Sequence, residues 1–339
     1  MKKPHAPTLE DVAQEAQVST ATISRAINEP HKVAQSTLVR VEEVIRRLGY
    51  TPNYGGKALA SNRSNTVGAV IPTMANAMFA GGLQAFQEVL SQSGFRLLVA
   101  SSGYDVEDEF SQIRSLITHG ADGLLLIGSS RLQETSDFLA MRRIPYVISW
   151  CYQNDTDLIY SGFDNKKAAY NITQEVLKLG HRKIAMIAGV TKGNDRARNR
   201  VEGVREAISD FAKDACLDQI VEAKYALEDG GDAFEQVMSA TTPPTAIICG
   251  NDVLASGAIV RANHIGIDVP KQVSITGFDD ISLAQVVSPA LTTVRVPQIA
   301  MGKTAASLLL RLVANDNDVQ SMAFETEVIY RESLAPLSL

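Results

Sequence analysis

Residues 8–28 read Thr8-Leu9-Glu10-Asp11-Val12-Ala13-Gln14-Glu15-Ala16-Gln17-Val18-Ser19-Thr20-Ala21-Thr22-Ile23-Ser24-Arg25-Ala26-Ile27-Asn28. Thr8 offers a hydroxyl at an N-cap and Asp11 a carboxylate three residues on, the reciprocal arrangement that starts a helix. Leu9, Val12, Ala13 and Ala16 then recur at helical spacing, which predicts a helix over 8–16. Gln17-Val18 makes a turn. Ser19 caps a second helix with Ile23, Ala26 and Ile27 on its inner face, and Asn28-Glu29-Pro30 ends it. A third helix follows, with Leu38, Val41, Ile45 and Leu48 on one face and Gly49 at its C-terminal stop. Two short helices joined by a tight turn and braced by a third form the helix-turn-helix arrangement, whose second helix enters the major groove of DNA. The outer face of that helix carries Thr20, Ala21, Thr22, Ser24 and Arg25. Hydroxyls suit phosphate oxygens or base edges, and an arginine takes guanine O6 and N7 together. The periodicity alone also fits a three-helix protein-interaction module.

The wording of the segment narrows that choice. Thr8 to Ala13, Val18 to Arg25, and Leu48-Gly49-Tyr50-Thr51-Pro52-Asn53 closely resemble the DNA-binding head of the LacI/GalR family, in order and at the right spacing. The resemblance implies that Thr20, Ala21 and Arg25 stand at base-reading positions. It places Ser19, Thr22, Ser24 and Asn28 against phosphate and Lys32 toward the groove, with Thr8 in the same DNA-contacting set. Ala21 is smaller than the polar residues often found there and suits a thymine methyl. Tyr54-Gly55-Gly56-Lys57-Ala58-Leu59-Ala60-Ser61 resembles the family's hinge helix, whose leucine, here Leu59, wedges between base pairs in the minor groove. Gly55 and Gly56 each disfavour helix by about 1 kcal/mol, so this joint is expected to order only on DNA. A flexible linker without groove contact is the other reading of those glycines.

Charge is distributed to match. Over residues 1–65 nine Lys/Arg face six Asp/Glu, a surplus of three, which leaves −9 for the rest of a 339-residue chain of net charge −6. A basic head on an acidic body suits a module that meets phosphates while the body stays off DNA. Hydrophobic content of 45% with 21% charged residues is globular, and the length asks for two or three domains. No uninterrupted apolar stretch approaches a membrane span, and Met1-Lys2-Lys3-Pro4-His5 lacks the apolar core of an export signal. Cys151, Cys216 and Cys249 form no C-x-x-C pair and read as buried, reduced thiols, so a cytoplasmic setting is expected.

From Asn65 onward short apolar runs (67–71, 96–100, 123–127, 146–149, 184–188, 246–249, 273–276) alternate with amphipathic segments (78–93, 107–118, 165–179, 196–211, 252–266). Such alternation predicts parallel sheets covered by helices, in two similar lobes with ligand bound between strand C-termini. Phe163-Asp164-Asn165, Arg196-Ala197-Arg198-Asn199-Arg200, Gly250-Asn251-Asp252 and Gly277-Phe278-Asp279 follow those strands. They resemble the family's sensor domain, as do Gly180-His181-Arg182-Lys183 and Ser288-Pro289-Ala290-Leu291. The fold class expected is multi-domain: an all-α helix-turn-helix head plus an α/β two-lobed periplasmic-binding-protein-like sensor. The resemblance divides it into a head (1–53), a hinge (54–64) and an effector-binding and dimerisation domain (65–339). Lobe 1 takes about 66–161 and 295–322, lobe 2 about 162–294 and 323–339, with three crossovers.

By the same resemblance Arg200, Asn251 and Asp279 contact the effector, Phe79 and Trp150 offer an aromatic wall, and Asp164 and Arg196 belong with them. Carboxylates and an amide suit vicinal hydroxyls, and an aromatic face suits a sugar ring. Asp164 and Asp279 also fit the bland role of capping helices. Asn194, Arg196, Arg198 and Arg200 keep an acidic ligand, such as the sugar acid gluconate, open beside a neutral sugar or a purine.

Other chemistry is missing its parts. Gly302-Lys303-Thr304 lies within an apolar helical pattern, and position 297 is Pro where a phosphate loop needs Gly. The five His are never paired at ligand spacing, so no metal, cofactor or catalytic residue is expected. A transporter's sugar-binding protein would share the body but lack the head. The partners implied are a palindromic double-stranded operator, a small-molecule effector and a second copy of the chain. The C-terminal end at Leu339 carries no leucine heptad, which favours a dimer over a coiled-coil tetramer.

Overall fold

A computed structural model describes residues 6–51, 63–75, 77–154, 156–211 and 214–337. The chain forms two compact units, Met1–Ser64 and Asn65–Leu339. The expected hinge segment with Leu59 lies outside the described residues.

The first unit is built on its caps. Thr8 Oγ1 accepts from the Asp11 N–H at 3.2 Å while the Asp11 carboxylate accepts the Thr8 N–H at 2.8 Å, a capping box that starts helix α1 (Leu9–Glu15). Gln17 turns the chain with φ 53°. Ser19 Oγ then accepts from the Thr22 N–H at 3.2 Å and opens α2 (Thr20–Asn28). Each such cap stabilises its helix by about 1 kcal/mol. A 3-10 turn (Pro30–Lys32) leads to α3 (Gln35–Leu48), which Gly49 ends in the left-handed conformation at φ 66°. Val12, Ala13, Ala16, Ile23, Ala26, Val41 and Val44 form the core.

The second unit begins with β1 (Thr66–Ile71), α4 (Ala80–Gln92), β2 (Arg96–Ser101), α5 (Val106–Thr118), β3 (Gly123–Ile127), α6 (Gln133–Arg142), β4 (Tyr146–Ser149) and β5 (Tyr160–Gly162). It continues with α7 (Asn165–Lys178), β6 (Lys183–Gly189), α8 (Asp195–Phe211), β7 (Cys216–Ala223), α9 (Leu227–Met238), β8 (Ala246–Cys249), α10 (Asp252–Ile265) and β9 (Ser274–Thr276). The last elements are α11 (Leu283–Val286), β10 (Thr293–Arg295), α12 (Gln298–Val313), β11 (Met322–Ala323) and β12 (Glu327–Ile329).

Two parallel sheets result, ordered β11-β5-β4-β3-β1-β2 and β7-β6-β8-β9, with a separate antiparallel pair β10-β12. The chain leaves the first sheet after β5 and returns from the second through β10 to α12, which packs on α4 and on β3 to β5. It crosses again after β11, so that Ser333 and Ala335 end up bonded to Ile275, Ser274 and His181. One buried cluster runs through both lobes, from Val67 and Leu125 through Phe163 to Ile184 and Phe278.

The alternating runs marked out most of these strands, but β5, β7, β10, β11, β12 and helices α6, α9 and α11 carry weaker patterns. One expectation is overturned. Cys151 and Cys249 are buried, whereas Cys216 is exposed, because it opens β7 at the edge of the second sheet where only one neighbour covers it. The Gly302 segment is a helix interior: a Cβ there would lie 2.0 Å from Gly82 O, so the glycine lets α12 press against α4. Among the described residues no helix is long and apolar enough to cross a membrane.

Candidate functional site

Two sets of residues stand out, one in each unit. In the head, Ile23 and Ala26 fix the inward face of α2. Helical geometry then turns Thr20, Ala21, Ser24, Arg25 and Asn28 outward, and all five are exposed. Ser19 and Thr22 share a hydroxyl–hydroxyl bond of 2.9 Å at the start of the helix. The Asn28 amide donates to Ser24 O at 2.8 Å, and Lys32 pairs with Glu29 at 2.8 Å, which holds the Glu29 carboxyl below its ordinary range. Thr8 is exposed, its hydroxyl engaged in the α1 cap. Among the described residues the Arg25 guanidinium makes no hydrogen bond or ion pair, and it stands free for an external partner.

In the second unit the strand ends of the two lobes face each other. Lobe 1 supplies Phe79, Tyr104 and Trp150 from the turns after β1, β2 and β4. Lobe 2 supplies Asp195, Arg196 and Arg200 from α8, Tyr225 after β7, Asn251 after β8 and Asp279 after β9. Phe79 and Trp150 meet edge to face at 5.3 Å, and both are fully buried. Tyr104 and Tyr225 lie against each other across the cleft with ring centroids 5.2 Å apart. Beside them opens a cleft of about 630 Å³ lined by Thr73, Tyr104, Val190, Lys192, Lys224 and Tyr225.

Arg200 organises the floor. Its Nε donates to Asn165 Oδ1 at 2.9 Å and its Nη1 to Gly250 O at 2.5 Å. Its guanidinium covers the Phe278 ring at 3.7 Å, and its Nη2 lies 3.6 Å from Asp279 Oδ1. Asn165 in turn donates to Trp150 O at 2.9 Å, which ties the two lobes through one side chain. Asp279 is 2% exposed with backbone φ 109°, a conformation L side chains rarely adopt. Burial pushes its carboxyl up to about 7, against the pull of Arg200 and Arg196. Burial likewise pushes the Asp195 carboxyl up, but Arg196 and the main-chain N–H groups of Ser129 and Ser130 outweigh it and hold it below its ordinary range.

What marks this place is unmet bonding. Both oxygens of Asp279, Asn251 Nδ2, Asp195 Oδ1, Tyr104 Oη and Trp150 Nε1 are buried with no hydrogen-bond partner. A buried polar group without a partner costs about 1–3 kcal/mol, so a fold seldom gathers several in one place unless something else completes them. Hydrogen-bond donors and acceptors on a small molecule would complete this set.

Of the residues singled out from sequence, Phe79, Trp150, Arg200, Asn251 and Asp279 are buried where the strand ends of the two lobes meet, and none of them lines the 630 Å³ cleft itself. Asn251 also caps α10 through Oδ1, on the Leu254 N–H. Asp164 stands apart: it is exposed, and its Oδ1 accepts from the Lys166 and Lys167 N–H groups as the N-cap of α7. Arg196 lies at the cleft but bonds to Ile127 O of the opposite lobe at 2.8 Å. Tyr104, Asp195, Asn165 and Tyr225 were missed. Asp195 adjoins the quoted arginine run, so proximity could have suggested it. Tyr104, in a left-handed turn at φ 65°, gave no such signal.

Both units have counterparts among known proteins. Residues 8–53 match the family described as bacterial regulatory proteins, lacI family, and residues 173–334 match the periplasmic binding protein-like domain. The chain is 33% identical over 310 residues, 91% of its length and 90% of the other's, to the HTH-type transcriptional repressor CytR of Escherichia coli. It is 30% identical to the ribose operon repressor of Haemophilus influenzae, with 97% and 99% covered. A LacI family transcriptional regulator from Silicibacter pomeroyi superposes with a TM-score of 0.88 at 25% identity, over 97% of this chain and 99% of that one. With relatives of this kind matched over nine-tenths or more of both chains, the chain belongs to the LacI family and is a DNA-binding transcriptional repressor.

Proposed function

We propose that this repressor governs carbohydrate-utilisation genes and that a small sugar or sugar acid, bound between the lobes of residues 65–339, sets its hold on DNA. The observation that carries the reading is the cluster of unpartnered buried groups on Asp279, Asn251, Asp195, Tyr104 and Trp150. Asp279 and Asn251 offer an acceptor and a donor to neighbouring hydroxyls, Arg200 offers a cation, and Phe79 with Trp150 supplies an apolar wall. Asp164 is assigned to the cap of α7 and left out of the contact set.

Residues 1–53 read DNA through Ser19, Thr20, Ala21, Thr22, Ser24, Arg25, Asn28 and Lys32, with Leu59 of the hinge in the minor groove. A homodimer on a palindromic operator matches two heads to two half-sites. Effector favours one arrangement of the lobes, and the change in head spacing alters the fit to the operator. The aromatic set Phe79, Trp150, Tyr104 and Tyr225 also favours a second reading, a purine or nucleoside effector, since a planar base seeks such faces.

The test is thermal unfolding of the full chain against sugars, sugar acids, sugar phosphates, purines and nucleosides. A true effector at a hundredfold its dissociation constant adds about 2.7 kcal/mol, a shift of several degrees. A sugar or sugar acid that shifts the melt in the wild type and not in Asp279→Ala supports the reading. A shift confined to purines and nucleosides replaces it with the second.

A further inference from the structure

One loop of lobe 1 is held from the other lobe by a single helical turn. The segment is the last residue of β3, Ile127, with Gly128, Ser129 and Ser130 after it. The turn is the start of α8 and carries Asp195, Arg196 and Arg198. Arg196 Nη1 donates to Ile127 O at 2.8 Å, the Ser129 N–H donates to Asp195 Oδ2 at 2.9 Å, and Arg198 Nη2 donates to Ser130 Oγ at 2.7 Å. Asp195 and Arg196 are 6% and 7% exposed, so water competes little for these bonds. From its own lobe, Arg131 Nη2 donates to Gly128 O at 2.7 Å and fixes the loop for this grip. Gly128, at φ 80°, has no room for a side chain: a Cβ would stand 1.8 Å from Arg196 Nη1 and 2.5 Å from Asp195 Oδ1.

We propose that the first turn of α8 is a latch that holds the two lobes closed without any ligand, by gripping residues 127–130 of the opposite lobe. This deepens the sensor reading and rests on it in one respect, that the lobes move; it does not depend on which molecule the effector is. Two of the three bonds involve the loop's main chain, so the grip depends on the backbone path that Gly128 permits. Two of the three also use a charged donor to a neutral acceptor, and the third a charged acceptor, the stronger class of hydrogen bond. Arg196 thereby belongs to the closing of the cleft and is a positioning residue for the site beneath. A ligand then enters only when the latch lets go, which makes its arrival depend on lobe opening.

The experiment is amide hydrogen exchange of the ligand-free full-length protein, read at residues 129–131, where the Ser129 N–H is the latched amide, and, as reference, at 124–127 of β3. The wild-type loop is expected to exchange slowly. Arg196→Ala and Gly128→Ala are each expected to speed exchange of the loop about tenfold, as loss of a charge-assisted bond implies, while β3 stays protected. If either variant also loses protection in β3, Arg198→Ala decides: of the three bonds to the loop it removes only the exposed one to Ser130, together with a bond to Thr191 O within its own lobe, and a smaller, severalfold rise at the loop is expected. A wild-type loop that exchanges as fast as an open surface turn overturns the latch, as does an unchanged loop in Arg196→Ala and Arg198→Ala. A ligand panel that yields no shift leaves these exchange rates untouched, so the failure of the effector reading is distinguishable from the failure of the latch.

Discussion

The outer face of α2 and the floor of the sensor cleft use polar side chains in opposite ways. On α2 and at its two ends they are exposed or half-buried, and several are already joined to close neighbours: Ser19 to Thr22, Asn28 to Ser24, Lys32 to Glu29. Between the lobes they are buried, and several atoms lack a hydrogen bond, with Asp279 and Asp195 held only by ion pairs of 3.6 Å to Arg200 and Arg196 at those atoms. The difference follows from the size of what each surface meets. A DNA phosphate backbone is long and stays hydrated, so a surface that docks on it gains from many modest contacts. A small molecule has few atoms, and each contact must be made in a site shielded from water. The head therefore holds its chemistry at little cost to stability, whereas the buried set between the lobes holds it at a cost, which a bound ligand would lower.

The comparison breaks most visibly at Arg200. Arg200→Ala leaves Asp279, Asn165 and Gly250 O without their cation in a buried site, and the sensor is expected to lose about 3–5 kcal/mol in denaturant unfolding. A loss under about 1 kcal/mol would show the floor to be better solvated than its burial indicates.

Next in size is a pH dependence. In the folded state the Asp279 carboxyl titrates near 7, against 3.8 for the free side chain. Between those values the folded protein binds the proton and the unfolded chain does not, so Asp279 lowers stability progressively as pH rises from about 4 to 7. The melting temperature of wild type should carry this falling component, and Asp279→Asn should remove it. Identical pH profiles for the two proteins would place the proton elsewhere.

The head should respond in binding and hardly in stability. Arg25→Ala is expected to cost about 1–3 kcal/mol of operator affinity and to relax preference at one base pair, with unfolding changed by less than about 0.5 kcal/mol. Site preference that survives the substitution removes Arg25 from base reading. Smallest of all, Ser19→Ala should cost about 1 kcal/mol of head stability through its cap on the Thr22 N–H, measured by thermal unfolding of the full chain's first transition.

The head was legible almost residue by residue, because its caps and its 3.6-residue spacing lie within one short window. The sensor was legible where a strand is buried on both faces, as at Gly123-Leu124-Leu125-Leu126-Ile127. It was not legible at α9, where Gly230 and Gly231 interrupt a helical pattern. The structure gives the reason: Gly257 and Gly230 let α9 and α10 touch, a Cβ on either lying 2.1 or 2.5 Å from a carbonyl of the other helix. A residue that weakens a helix locally is here required by the helix beside it. In the site, Asp279, Asn251 and Arg200 were legible as polar residues at strand ends or on a helix they lead into. Tyr104 was not, since only the fold brings it against Tyr225 of the other lobe. Asp164 shows the converse limit, a strand-end carboxylate whose role is capping.

The chain has a single tryptophan, Trp150, and it stands at the end of β4 against Phe79, its indole N–H unbonded and its carbonyl held by Asn165. The protein thus carries one indole fluorophore, excitable apart from its tyrosines and seated where the lobes meet. Its emission needs no dye and no subtraction of other indoles, so any ligand that bonds the ring nitrogen or parts the lobes writes its own optical record.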